Sequence, residues 1–199
     1  MQHSPLPLLP LTDGTVLLRF PRDTDAAAVV EHSRHPDLQD TYWLPVASSC
    51  SLADAHSLIR EFKASFSGRF GLTLVISTPA NEDAFAGIIT LGLHNSEMGE
   101  VCYGVAPDYR NQGLATRAVK LITGWACSYP ALKRLELRVG LSNLASQRVA
   151  EKAGFVREGI VRMRVPATGK EYDDFVYAHS CSQGKATAPT ADVEKVADT

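Results

Sequence analysis

The stretch DYRNQGLATRAV, Asp108 to Val119, gathers groups suited to holding an anion. It follows Pro107 and places Gly113 and Ala115 at what reads as the start of an apolar-periodic helix. The first turn of a helix has backbone N–H groups without intrahelical partners, and the aligned peptide dipoles make that end positive. With so little side chain at Gly113 and Ala115, an anion can lie directly on those donors. Thr116 adds a hydroxyl, and Arg110, Arg117 and Lys120 add positive charge. The chemistry implied is recognition of a phosphate or pyrophosphate. The nucleoside-triphosphate loop requires G-x-x-x-x-G-K followed by Ser or Thr, and no such run occurs. The dinucleotide fingerprint requires three spaced glycines, and VAPDYRNQGLA has one.

The surrounding pattern supplies elements to position this turn. TVLLRF, Thr15 to Phe20, reads as a first strand, and DTDAAAVVEHSRH as a helix capped by Asp23 or Thr24. In Ser51 to Phe66, a Ser with Asp three residues later opens a helix whose Leu52, Ala55, Leu58, Ile59 and Phe62 recur on one face. Three strands follow in RFGLTLVIS, AFAGIITLGLH and EVCYGVAP. The motif helix, Gly113 to Ser128, turns Leu114, Ala118, Leu121, Ile122 and Trp125 to one side. KRLELRVG is a strand, and SNLASQRVAEKAGF a short helix closed by Gly154 with Phe155 packing back. FVREGIVRMRV and KEYDDFVYAH end the series as two strands. A meander feeding a strand–helix–strand crossover implies an α/β fold with a mixed sheet and helices on both faces.

The whole chain bounds the possibilities. Its 199 residues carry a net charge of −2 and a pI near 6.3, so no global field attracts nucleic acid or a membrane surface. No apolar run approaches the ~20 residues of a membrane span, and the Pro-interrupted N-terminus is a poor signal peptide. Cys50, Cys102, Cys127 and Cys181 are widely separated; Cys102 and Cys127 sit in apolar patterns and read as reduced core residues. These features point to a soluble, cytoplasmic protein with one domain over residues 1–180. Residues 181–199, rich in Ser, Ala and Thr, read as a disordered tail. The six histidines show no metal-ligand spacing and read as surface groups, so no metal is expected.

Arg110-x-x-Gly113-x-Ala115, behind a strand ending in Val-Ala-Pro, resembles motif A of the GNAT superfamily, (Gln or Arg)-x-x-Gly-x-(Gly or Ala). Downstream, LELRVGLSNLASQRVAEKAGFVREG resembles motif B of its Rim-type branch, the ribosomal-protein N-terminal acetyltransferases. The resemblance covers about Leu11 to His179. It implies the acyl-CoA N-acyltransferase fold, with a central mixed sheet of about seven strands and helices on both faces. It also implies acetyl-CoA as co-substrate, with Arg110, Asn111, Gln112, Gly113, Leu114, Ala115 and Thr116 forming the pyrophosphate loop. In the family the fourth and fifth strands splay, freeing backbone groups for the pantetheine arm and the thioester carbonyl; here those groups belong to Tyr103, Gly104 and Val105.

The same resemblance assigns Asn143 to the pantetheine arm and Ser146 to the CoA sulfur as general acid, although Ser is also a preferred helix cap at such a boundary. Many relatives place a Tyr further along this helix as the acid, and QRVAEKAGF has none. Some Rim-type enzymes carry a Glu on the fifth strand, but Arg138 holds that position. Glu136, two residues earlier on the same strand face, is the candidate base, with Glu100 as the alternative. Asp173 and Asp174 could face a cationic amine or lie at an exposed strand end, and Tyr42 and Trp43 could wall the acceptor site. The implied activity is acetyl transfer to a primary amine of a protein N-terminus, amino acid or small amine. The acyl group could be larger, such as succinyl, and a non-catalytic acyl-CoA-binding module on the same fold is the alternative. A monomer or homodimer suits either reading.

Overall fold

The computed structural model describes residues 9–34, 50–67, 71–164 and 171–181. Tyr42 and Trp43, and the chain beyond Cys181, lie outside them. In order, the elements are β1 (Leu11–Thr12), β2 (Leu17–Arg19), α1 (Ala26–Ser33), α2 (Leu52–Ser67), β3 (Gly71–Ser77), β4 (Gly87–Leu93) and β5 (Met98–Val105). Then follow α3 (Leu114–Cys127), β6 (Arg134–Gly140), α4 (Leu144–Lys152), β7 (Val156–Arg164) and β8 (Glu171–Ser180). The strands form one eight-stranded sheet in the order β1-β2-β3-β4-β5-β6-β8-β7. The strand beyond the expected seven is β1, a two-residue segment pairing Leu11 with Leu18 and Thr12 with Leu17. Two residues are too short for alternation to be read in a sequence.

All neighbouring strands are antiparallel except β5 and β6, which run parallel. The parallel pair is joined by a crossover through α3, the connection such a pair requires. One sheet face supplies Leu72, Leu74, Ile76, Ile89, Leu91, Leu135, Leu137 and Val139 to a core shared with Leu114, Ala118, Val119 and Ile122 of α3 and Ala150 of α4. Ala26 and Val29 of α1 pack with Ala55, Leu58 and Ile59 of α2 in a second cluster. β3 is buried at every position after its first, as a strand covered on both faces must be. The start of α2 follows the reading of Ser51 and Asp54. Asp54 accepts from the Ser51 N–H, and the Ser51 hydroxyl accepts from the Asp54 N–H.

Three expectations change. Cys127 is not a reduced thiol: it is joined to Cys181 in a disulfide across 54 residues, because the end of α3 and the end of β8 converge. Cys181 is buried and donates its N–H to Lys133 O at 2.8 Å, so the ordered fold reaches that residue. His32 is not a surface group; it is buried against the edge of the Phe85 ring, 5.6 Å between centroids.

Candidate active site

The site is built where β5 and β6 part. Their register runs Met98↔Arg134, Gly99↔Leu135 and Glu100↔Glu136 and then stops, although β5 continues to Val105 and β6 to Gly140. Across its other edge β5 stays paired to β4 as far as Gly87↔Val105. The β6 side of β5 is therefore open from Val101 onward. Peptide groups alternate along a strand. Ala106 donates its N–H to Ala86 O at 2.9 Å, which turns Gly104 toward β4 and Tyr103 and Val105 toward the opening. A Cβ added at Gly87 would lie 2.1 Å from Gly104 O, so only glycine allows β4 this close approach. Of the three residues named for their backbone, Tyr103 and Val105 thus present peptide groups to the fork. The Val105 carbonyl already accepts from Arg110 Nε at 3.1 Å.

Just beyond the fork, the chain passes through a single turn at Pro107–Tyr109 into α3. Gly113 is its N-cap at φ 77°, in the left-handed region, and no side chain caps the first turn. Asn111 precedes it, also left-handed at φ 60°. Apart from its chain neighbours, no described atom lies within 4 Å of a Cβ built on Gly113, so the helix start is bare as well as uncapped. Bare, outward-pointing N–H groups at Leu114, Ala115 and Thr116 fit a diphosphate. Of the charged residues nearby, Arg117 turns away to Asp13 at 2.8 Å. Gln112 Nε2 donates to Asp108 O at 2.9 Å, closing the loop on itself.

α4 brings Asn143 and Ser146 beside this opening. Asn143 is the N-cap, its Oδ1 accepting from the Ser146 N–H at 3.0 Å. The capping role open to Ser146 therefore belongs to Asn143. Either residue type caps well, so composition alone could not choose between them. The Ser146 hydroxyl stands in the first turn of the helix, and its carbonyl accepts from Tyr103 Oη at 3.4 Å. Burial pushes the Tyr103 phenol up to about 12, opposed by its hydrogen bond to Ser146. The family resemblance points to the Tyr103 backbone; strand alternation, which aims its side chain at α4, is the signal for its phenol.

The other face of the fork is polar. Glu100, Cys102, Glu136, Arg138 and Asp174 share it by strand register. Arg138 reaches Glu100 at 3.8 Å and Glu136 at 3.7 Å. Glu136 also accepts from Arg134 Nε at 2.9 Å, so guanidiniums engage both its oxygens. Glu100 is buried and meets His94 Nε2 at 3.2 Å. The Cys102 thiol donates weakly to Glu100; burial and that carboxylate push its pKa up, which leaves it a poor nucleophile. Asp173 and Asp174 part company. Asp173 is paired to Arg162 at 2.9 Å, whereas Asp174 is buried on the fork face opposite Gly140. Among the described residues no group of three His, Cys, Asp or Glu side chains is placed to hold a metal ion. No described helix is long and apolar enough to cross a membrane.

An eight-stranded mixed sheet opened between the parallel pair β5 and β6, with a glycine-capped helix behind the opening, defines an acyl-CoA N-acyltransferase fold. The sequence family described as "Acetyltransferase (GNAT) domain" matches residues 15–156. The chain belongs to the GNAT family, and it is an acetyltransferase by that membership. It is 27% identical over 172 residues to the uncharacterized N-acetyltransferase YoaA of Bacillus subtilis (strain 168), covering 84% of this chain and 94% of that one. Among solved structures, RimJ of Mycobacterium smegmatis in complex with CoA-disulfide superposes with a TM-score of 0.71 at 24% identity, over 86% of this chain and 85% of that one. The Microcin C7 self-immunity acetyltransferase MccE, in complex with acetyl-CoA and AMP, superposes at 0.73 with 18% identity, over 86% and 98%. At such identities the structural likeness concerns the fold.

Proposed function

We propose that the protein moves an acetyl group from acetyl-CoA to a primary amine by direct attack of the amine on the thioester. The observation that carries this reading is the fork itself. The β5–β6 ladder ends at Glu100↔Glu136, and the uncapped start of α3 lies beyond it. In this reading the N–H groups of Leu114, Ala115 and Thr116 hold the pyrophosphate, with Arg110, Asn111, Gln112 and Gly113 shaping the turn. The peptide groups of Tyr103 and the N–H of Val105 line the pantetheine arm, and the Asn143 side-chain amide, its oxygen engaged as cap, offers its NH2. Acetyl-CoA supplies an activated thioester carbonyl. Gly104 and Ala106 leave the channel open to a larger group such as succinyl.

Ser146 donates a proton to the departing thiolate. With its cap role taken by Asn143, the hydroxyl is free to rotate toward a sulfur in the fork. Glu136, placed between Arg134 and Arg138, fixes Arg138 beside the reacting centre, and a water on its carboxylate could relay the amine's proton. RimJ and MccE, with CoA-disulfide and with acetyl-CoA and AMP respectively, lend support by fold. The acceptor is an amine metabolite, an amino acid or a protein N-terminus, handled in the cytoplasm by a monomer or homodimer. Calorimetric titration of acetyl-CoA, followed by thiol release across amine classes, tests the reading. Binding without amine-dependent thiol release rejects it.

A further inference from the structure

Asp174 is 4% exposed, and among the described residues no hydrogen bond reaches its carboxylate. It occupies the last pair of the β6–β8 ladder, opposite Gly140, whose missing side chain leaves the space beside its Oδ1 open. Register places it on the fork face with Glu100, Glu136 and Arg138. The fork opens at that level, because β6 has separated from β5 beyond Glu136. Without a protein donor among the described residues, the oxygens of the Asp174 carboxylate are left to solvent or to a ligand in the fork. The network around it runs from Glu100 through Arg138 and Glu136 to Arg134 and Glu158. With Asp174, four carboxylates face two guanidiniums, leaving two negative charges in excess among the described residues of this face. Such a surface attracts a cation and repels an anionic acceptor. Asp173 lies on the other face of β8, where Arg162 holds it.

We propose that Asp174 receives the acceptor as its ammonium ion and takes its proton, so that the protein selects primary alkylamines, protonated in solution, over uncharged arylamines. The inference rests on the acyl-transfer reading above and deepens it. The ammonium N–H bonds to Asp174, and one proton passes to the carboxylate. The nitrogen lone pair then forms the C–N bond to the carbonyl carbon, the nitrogen's second proton passes to the water on Glu136 and on to solvent, the C–S bond breaks, and the electron pair leaves on sulfur. The thiolate takes a proton from Ser146, which solvent restores, and Asp174 releases its proton to solvent once the amide departs.

The test compares the native protein with Asp174→Asn, an isosteric change, and with Asp173→Asn as control. Thiol release from acetyl-CoA is measured with butylamine, protonated at neutral pH, and with aniline, which is not. Calorimetry measures butylammonium binding to protein saturated with desulfo-CoA. Asp174→Asn should lower kcat/KM for butylamine by about a hundredfold, the scale of general base catalysis. It should leave aniline within about twofold, on the small scale of a site not using its carboxylate. It should also abolish ammonium binding while acetyl-CoA affinity holds, and Asp173→Asn, which leaves the Asp174 carboxylate in place, should keep both amine activities and ammonium binding. Equal losses on both amines, or no loss on butylamine, would overturn the assignment. If no amine releases thiol but butylammonium binding depends on Asp174, acyl transfer fails while the ammonium site stands. If both amines turn over and Asp174→Asn is silent, Asp174 fails while acyl transfer stands.

Discussion

Gly113 separates what the fold needs from what the ligand needs. Its φ of 77° lies where a Cβ is unfavourable, so Gly113→Ala and Gly113→Val should each lose roughly 1–2 kcal/mol of stability through the backbone alone. In a domain of this size that lowers the melting temperature by about 2–4 °C per kcal/mol. Apart from its chain neighbours, no described atom lies within 4 Å of the added carbon, so the cost in the free protein is confined to the backbone. Any loss of acetyl-CoA affinity therefore reports contact with the ligand. A diphosphate seated on the N–H groups of Leu114 to Thr116 would meet that carbon, and the larger Val should weaken binding tenfold or more, about 1.4 kcal/mol. Gly124 is the internal control: it lies in helical backbone within α3, exposed and with open space around it. Gly124→Ala should stabilise by about 0.5–1 kcal/mol and leave affinity unchanged. Calorimetry on the three variants, paired with ligand-free melting curves, reads both quantities. A folded Gly113→Val protein with native acetyl-CoA affinity would refute the cradle.

Ser146→Ala should lower kcat by roughly ten- to a thousandfold with cofactor affinity intact. Asn143→Ala should cost about 1 kcal/mol of stability, since Asn143 holds the cap; steady-state kinetics and thermal melts distinguish the two. Breaking the Cys127–Cys181 bond, which closes 54 residues, should cost up to about 4 kcal/mol; a melt with reductant that matches one without would contradict this. Burial raises the Asp174 carboxyl above its ordinary range, Glu100 and Asp173 add to the rise, and Arg138 opposes it. The folded state then holds this proton more tightly than the unfolded one, so the stability it contributes is complete at acid pH. That stability drains away as pH rises through the raised value. Asp174→Asn should consequently melt higher than the native protein at pH 7, with the gap closing toward pH 4; a gap that widens on acidification would reverse the sign.

Local patterns carried most of the fold. The spacing from Arg110 to Ala115 needs only its own neighbours to form a turn and a helix start, and it does so at Gly113. Ser51 and Asp54 likewise close their capping pair within one turn. What escaped reading depends on register between distant segments. Cys127 and Cys181 meet because α3 and β8 end together, which no spacing along the chain expresses. The contrast between Asp173 and Asp174 was legible in principle. In EYDDFVYAH the period of two sets Asp174 with Tyr172 and Val176, but which face lies on the fork depends on β8 pairing with β6. The same holds for the Tyr103 phenol and the buried His32, whose surroundings come from elements remote in sequence.

Acetyl transfer to an amine at this fork leaves two products that can be counted. The most direct measurement mixes the protein with acetyl-CoA and a primary alkylamine and follows free thiol and N-acetylated amine together by mass spectrometry. Equal amounts of both are expected, appearing only when amine is present and lost in Gly113→Val. Tight acetyl-CoA binding with no amine-dependent thiol or acetamide would contradict it.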